Sequence, residues 1–155
     1  MTVPQITIVP AGMDHIASIA ARMREADRVE VWAASRSTPH QALMTSIQNS
    51  AWAMTALIDG EPEAMWGVAT LNILTSTGAP WLLGTDAVEK NFRQFLRQSV
   101  QWKEKLSAEY QVLMNFVHED NEVSKRWLRW LGFTLYEPFE LGPDGELFRM
   151  FEMRR

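Results

Sequence analysis

Cysteine is absent from the 155-residue chain, which excludes disulfide staples, thiolate zinc sites and a cysteine nucleophile. Histidine is scarce, and His15, His40 and His118 are not spaced as metal ligands, so no metal site is expected. A surplus of positive charge is also missing. The chain carries 15 Lys and Arg against 19 Asp and Glu, a net charge of −4, which argues against counterion-driven binding to nucleic acid. No apolar run approaches the roughly 20 residues of a membrane span. The start, Met1-Thr2-Val3-Pro4, lacks the basic flank and apolar stretch of a signal peptide, so no membrane association is expected. No repeat or low-complexity tract is visible. What remains is 46% apolar and 22% charged residues with seven Trp, the composition of one folded domain spanning 1–155.

Periodicity orders the elements. Gln5 to Val9 alternates and is closed by Pro10, predicting a strand. Asp14 is placed to cap a helix with Ile16, Ile19, Ala20 and Met23 at helical spacing, running on into the mixed-charge stretch 24–30. Thr38-Pro39 opens a second helix. Ala51–Ile58 and Ala64–Ile73 read as a hairpin about Asp59-Gly60-Glu61-Pro62, with Gly67 marking a bulge or a close backbone approach. A short buried strand, Trp81–Gly84, precedes one long helix from about Val88 to Ala108. A strand from Gln111 to Val117, a helix from Asn121 to Trp130 stopped by Gly132, and closing strands 133–139 and 147–151 complete the chain. The order β-α-α-β-β-β-α-β-α-β-β predicts an α/β fold, a mixed central sheet with helices on both faces.

That order, together with Asn121-Glu122-Val123-Ser124 leading to Leu131-Gly132-Phe133, resembles the GNAT superfamily of acyl-CoA-dependent N-acyltransferases. The resemblance implies a GNAT fold over nearly the whole chain. Narrower strings resemble small GNAT-like bacteriophage proteins, a group that includes an internal virion protein. They are Arg24-Glu25-Ala26-Asp27, Glu30-Val31-Trp32-Ala33, Pro80–Asp86, Phe95-Leu96-Arg97 and Trp127–Phe133. This implies expression in host cytoplasm, a place in or near the virion, and a phage or host protein as partner. A homo-oligomer is left open.

The enzyme reading meets two departures. Where GNAT enzymes present spaced glycines to a pyrophosphate, this chain has Gly84-Thr85-Asp86-Ala87-Val88-Glu89-Lys90, with no glycine after Gly84. Asp86 and Glu89 read instead as an anionic capping box that would occupy those donors. Where many family members carry a tyrosine to reprotonate the thiolate, Leu128 stands. The leading expectation is therefore a non-catalytic GNAT-like protein acting through protein contacts in virion assembly, with no cofactor. The alternative is an acetyl-CoA-dependent N-acetyltransferase with a non-standard cradle. In that case His118, Asp27 or Glu30 is the candidate base, and Gly84, Thr85, Lys90, Arg93, Asn115, Asn121 and Ser124 would hold the cofactor. Plainer readings stand beside these. Lys90, Arg93 and Arg97, and likewise Lys125, Arg126 and Arg129, suit solvated helix faces. His118 suits a partly exposed strand end, and Arg24–Asp27 a local ion pair.

Overall fold

The computed structural model describes residues 3–155. Its first strand, β1 (Ile6–Pro10), is followed by three helices, α1 (Met13–Ala21), α2 (Glu25–Ser35) and α3 (Pro39–Asn49). Strands β2 (Ser50–Ile58), β3 (Glu61–Asn72) and β4 (Thr77–Gly84) then form an antiparallel meander. A short α4 (Ala87–Lys90) and a long α5 (Phe92–Glu109) cross to β5 (Val112–His118). Helix α6 (Glu122–Leu131) and strands β6 (Thr134–Leu135), β7 (Phe139–Leu141) and β8 (Glu146–Arg154) end the chain. No helix among the described residues is long and apolar enough to cross a membrane.

The sheet runs β1-β2-β3-β4-β5-β8-β6, with β7 also on β8, and among the described residues β4–β5 is the one parallel pair. Alternation of side chains along β3 sends Met65 one way and Trp66 and Val68 the other. Met65 and Leu83 pack on Ile16, Ile19 and Leu43 of α1 and α3. Val68, Leu113 and Val117 pack on Leu106 of α5 and on Trp127 and Leu131 of α6. Helices therefore cover both faces, as the sequence pattern predicts.

Several boundaries differ from that pattern: β4 begins at Thr77 rather than Trp81, and the strand expected over 133–139 is two short ones, β6 and β7. The charged stretch does not prolong the first helix, because Met23 is drawn into a bridge with Thr85 and splits it into α1 and α2. Gly12, not Asp14, stands at the N-cap of α1. The long helix is interrupted at Asn91, whose side chain donates to the Ala87 carbonyl at 2.9 Å, the local competition with helix that asparagine favours. Other signals hold. Thr38 and Gln41 form the capping box of α3, and Gly132, at φ 101°, ends α6 with its N–H turned back to the helix.

Gly67 is a site of close approach. A Cβ there would lie 2.5 Å from the Trp52 carbonyl oxygen, a backbone atom that cannot yield without disturbing the β2–β3 pairing. Gly67→Ala is expected to cost roughly 1–3 kcal/mol of unfolding free energy in urea titration, where a glycine in an unhindered strand position would gain from the same change.

β4 and β5 pair only at Thr77–Val112 and Gly78–Leu113, and then part. Pro80, with no N–H to give a ladder, lies where they separate, and Asn115 bridges the gap by donating Nδ2 to the Pro80 carbonyl at 2.9 Å.

Candidate functional site

The parting of β4 and β5 opens a cavity of about 320 Å³ that passes through the sheet. Val31, Ala34 and Thr45 of α2 and α3 line one side, Trp102, Trp127 and Leu128 of α5 and α6 the other. Asn115 and Ser124 stand on its wall, as does Glu30, its single ionisable lining residue among the described residues. Trp102 also contributes an indole N–H that is buried and has no protein partner. Such a donor is costly to leave unmatched.

At the end of the split a buried polar network closes the space between α2, the end of β4 and the start of α6. Arg24 donates Nη2 to Asn121 Oδ1 at 2.6 Å, and its Nη1 lies 3.4 Å from Asp27 Oδ1. Asp27 Oδ2 accepts the Gly84 N–H at 3.0 Å. Glu30 Oε1 accepts the His118 N–H at 2.8 Å, and the Asn121 amide reaches both carboxylates, Asp27 at 3.4 Å and Glu30 at 3.3 Å. Asn121 keeps its capping role, accepting the Ser124 N–H.

Enclosure decides the protonation of this pair. Burial pushes the Asp27 carboxyl up to about 6, against the pull of Arg24 and the Gly84 N–H. Burial, reinforced by the neighbouring Asp27 charge, pushes Glu30 up to about 7 despite the hydrogen bonds from His118 and Asn121. Glu30 is thus a carboxylate at a cavity wall, half ionised near neutral pH, the range in which a proton acceptor works best.

The same shifts carry a stability signature. Between the unfolded values of 3.8 and 4.5 and the folded values near 6 and 7, the native state binds more protons than the unfolded chain. The stability these groups lend is complete below pH 4 and is lost as pH rises through 6 and 7. Unfolding free energy is expected to fall by a few kcal/mol from pH 5 to pH 8 in urea titrations. Glu119 and Glu152, which Arg149 and Arg154 hold below their ordinary range, act only at more acidic pH and leave this window clear.

The expected site residues separate into two groups. Asp27, Glu30, Gly84, Asn115, Asn121 and Ser124 meet at or beside the cavity. His118 does not line the cavity with its ring. It is buried, its Nε2 faces Glu146 at 2.8 Å, its Nδ1 accepts the Asp120 N–H at 3.1 Å, and only its backbone N–H reaches the site. Thr85 is tied by its hydroxyl to Glu63 and accepts the Ala87 N–H. Lys90 and Arg93 stand exposed, away from the cavity.

The capping box expected at Asp86 and Glu89 is not formed, since Asp86 makes no side-chain cap. Four neighbouring donors, those of Gly84, Thr85, Ala87 and Val88, are nonetheless taken. The Thr85 N–H goes to the Glu63 carbonyl and the Val88 N–H to the Thr85 carbonyl, while Glu89 leans over Arg24 at 3.6 Å. Lys125 is buried and pairs with Glu122 at 3.0 Å, contrary to a solvated face. Trp66 and Trp102 pack edge to face in the core, whereas Trp32 is substantially exposed.

Residues that sequence reasoning missed include Trp102 as a cavity wall with a free donor and Phe148 beneath His118. Neither has a local signal, since both sit at ordinary core positions.

Neither a protein-family profile nor a curated protein matches the sequence. Solved structures do resemble the fold. YncA of Salmonella typhimurium, described as an acetyltransferase and determined with its cofactor acetyl-CoA, superposes with TM-score 0.69 at 15% identity, covering 97% of this chain and 94% of that one. A GNAT-family acetyltransferase of Streptococcus pneumoniae gives 0.63 at 13% identity, with 97% and 100% covered. RimL, a ribosomal L7/L12 alpha-N-protein acetyltransferase in complex with coenzyme A, gives 0.66 at 9%, with 96% and 93% covered. Identities this low speak for architecture alone, and the architecture is plain: this chain is a single α/β domain with the GNAT fold.

Proposed function

We propose that the chain is an N-acyltransferase that takes its acyl group from a coenzyme-A-type thioester, with Glu30 as general base. The observation that carries this reading is one ionisable carboxylate, poised near neutral pH, at the wall of an apolar cavity through the β4–β5 split. Structural likeness to proteins solved with acetyl-CoA or coenzyme A supports it.

The residues present fit the acylated arm of such a thioester. The walls are mostly apolar, and the hydroxyl of Ser124 is a hydrogen-bonding group suited to an amide or thioester carbonyl. The thioester would supply an activated acyl carbon. Glu30 takes a proton from an incoming amine, and the His118 N–H and Asn121 amide hold its carboxyl in place. Leu128 lines the cavity where a tyrosine would return a proton to the departing sulfur, so that proton comes from solvent.

A second reading rests on the β4–α4 turn. The N–H groups of Gly84, Thr85, Ala87 and Val88 are already bonded within the protein, which favours a non-catalytic GNAT-like protein working through protein contacts. Bacteriophage origin and virion assembly belong to that reading.

Titration of the wild-type protein with acetyl-CoA decides between them. Trp81, Trp102 and Trp127 line the cavity and report occupancy by fluorescence. A saturable change with a rise in melting temperature is expected, about 2.7 kcal/mol of stabilisation at 100 times Kd. No change at millimolar acetyl-CoA would overturn the acyltransferase reading.

A further inference from the structure

The cavity's lining restricts what amine can be acylated, a step that rests on the function proposed above. Glu30 is its only charged group among the described residues, and no lysine, arginine or histidine reaches it. The polar remainder is neutral: the hydroxyls of Ser35, Ser37, Thr45 and Ser46 lie on the α2–α3 side. The rest of that half is apolar, formed by Val31, Ala34, Leu141 and Phe148.

One negative charge in an apolar enclosure accepts one positive charge and no more. A substrate carboxylate or phosphate would lose its hydration, find no cation, and face Glu30 at close range. A second ammonium would be buried with no partner. An amine on an uncharged apolar body places its nitrogen at Glu30 and its hydrocarbon on the walls, and every part is matched.

We propose that the acyl acceptor is a small primary amine on an uncharged, apolar body, of the alkylamine or arylalkylamine class, and that Glu30 selects it. The ammonium form gives one proton to Glu30, and the freed nitrogen attacks the thioester carbonyl. The carbon–nitrogen bond forms and the carbon–sulfur bond breaks. The second amine proton leaves as the amide forms, the thiolate takes a proton, and the proton on Glu30 returns to solvent. The products are an amide, a thiol and one net proton.

The test titrates the wild-type protein, followed by tryptophan fluorescence and melting temperature, with four probes of graded charge. Phenethylamine is the matched ligand. Phenylalanine adds a carboxylate to the same body, phenethyl alcohol removes the charge, and spermidine supplies several ammonium groups. Phenethylamine is expected to bind at least about tenfold tighter than each of the others. In Glu30→Gln the preference of amine over alcohol is expected to vanish while the alcohol binds as before. Phenylalanine or spermidine binding as tightly as phenethylamine would overturn the proposal, and so would an undiminished amine preference in E30Q. A separate titration with acetyl-CoA keeps the two conclusions apart. If acetyl-CoA binds and apolar amines are not preferred, the acceptor class is wrong. If acetyl-CoA does not bind, the acyltransferase reading fails.

Discussion

Glu30→Gln is expected to lower the rate of acyl transfer about 100-fold or more while making the protein more stable at pH 8. The rate falls because glutamine has no basic oxygen to take the amine proton, and general base catalysis typically supplies 10²–10⁴-fold. Stability rises because the wild-type carboxyl, pushed up to about 7 by burial and by Asp27, is ionised at pH 8 at a cost. The glutamine carbonyl can still accept the His118 and Asn121 hydrogen bonds, so removing the charge should gain about 2 kcal/mol. The two effects are read separately, by product formation and by urea unfolding. The pH profile adds a third signature. Wild-type rate should climb through pH 7, and the fall of stability between pH 5 and 8 should be shallower in E30Q. A variant that is both less active and less stable would refute the assignment of Glu30 as a strained base.

Phe148→Ala is expected to be the most damaging single change, about 3 kcal/mol or more, lowering the melting temperature by roughly 10 °C. Phe148 is 1% exposed, lines the cavity and meets the His118 ring edge to face with centroids 5.1 Å apart. Its removal deletes a large apolar group beside an existing void, so the two spaces merge and little can collapse to fill them. It also frees the strand end whose N–H fixes Glu30. Calorimetry checks the first effect. Loss of the pH 5 to 8 stability slope in F148A would reveal the second, because Glu30 would then be rehydrated.

Much of the architecture was legible in local pattern. Alternation located β1, β2, β5 and β8, Gly132 stopped α6, and Thr38-Pro39 opened α3, because these signals act over a few residues. The division between α1 and α2 was not legible. No proline or glycine lies between Ala21 and Glu25, and the break comes from pairing of Met23 with Thr85, 62 positions along the chain (85 − 23). The site shows the same limit. Arg24, Asp27 and Glu30 could be singled out by their spacing, but their partners Gly84, His118 and Asn121 lie on other elements, and burial, which sets the protonation of the carboxylates, exists only after folding. Four donors of the β4–α4 turn, the N–H groups of Gly84, Thr85, Ala87 and Val88, are occupied by Asp27, the Glu63 carbonyl and Thr85 rather than by Asp86 and Glu89. His118 drew attention as a lone titratable ring, yet its value to the site is a main-chain N–H that any residue but proline would supply.

The short pairing of β4 with β5 has a mechanical consequence. Two residue pairs at one end, Thr77–Val112 and Gly78–Leu113, join two stiff plates, β1 to β4 and β5 to β8, much as a clothes peg is joined at its spring. A small change of angle at that hinge is magnified toward Gly84 and His118, where Asp27 and Glu30 act as the catch between the jaws. Widening the tunnel therefore breaks few backbone hydrogen bonds, and what resists it at the open end is the pair of side-chain bonds between Asp27 and Gly84 and between Glu30 and His118.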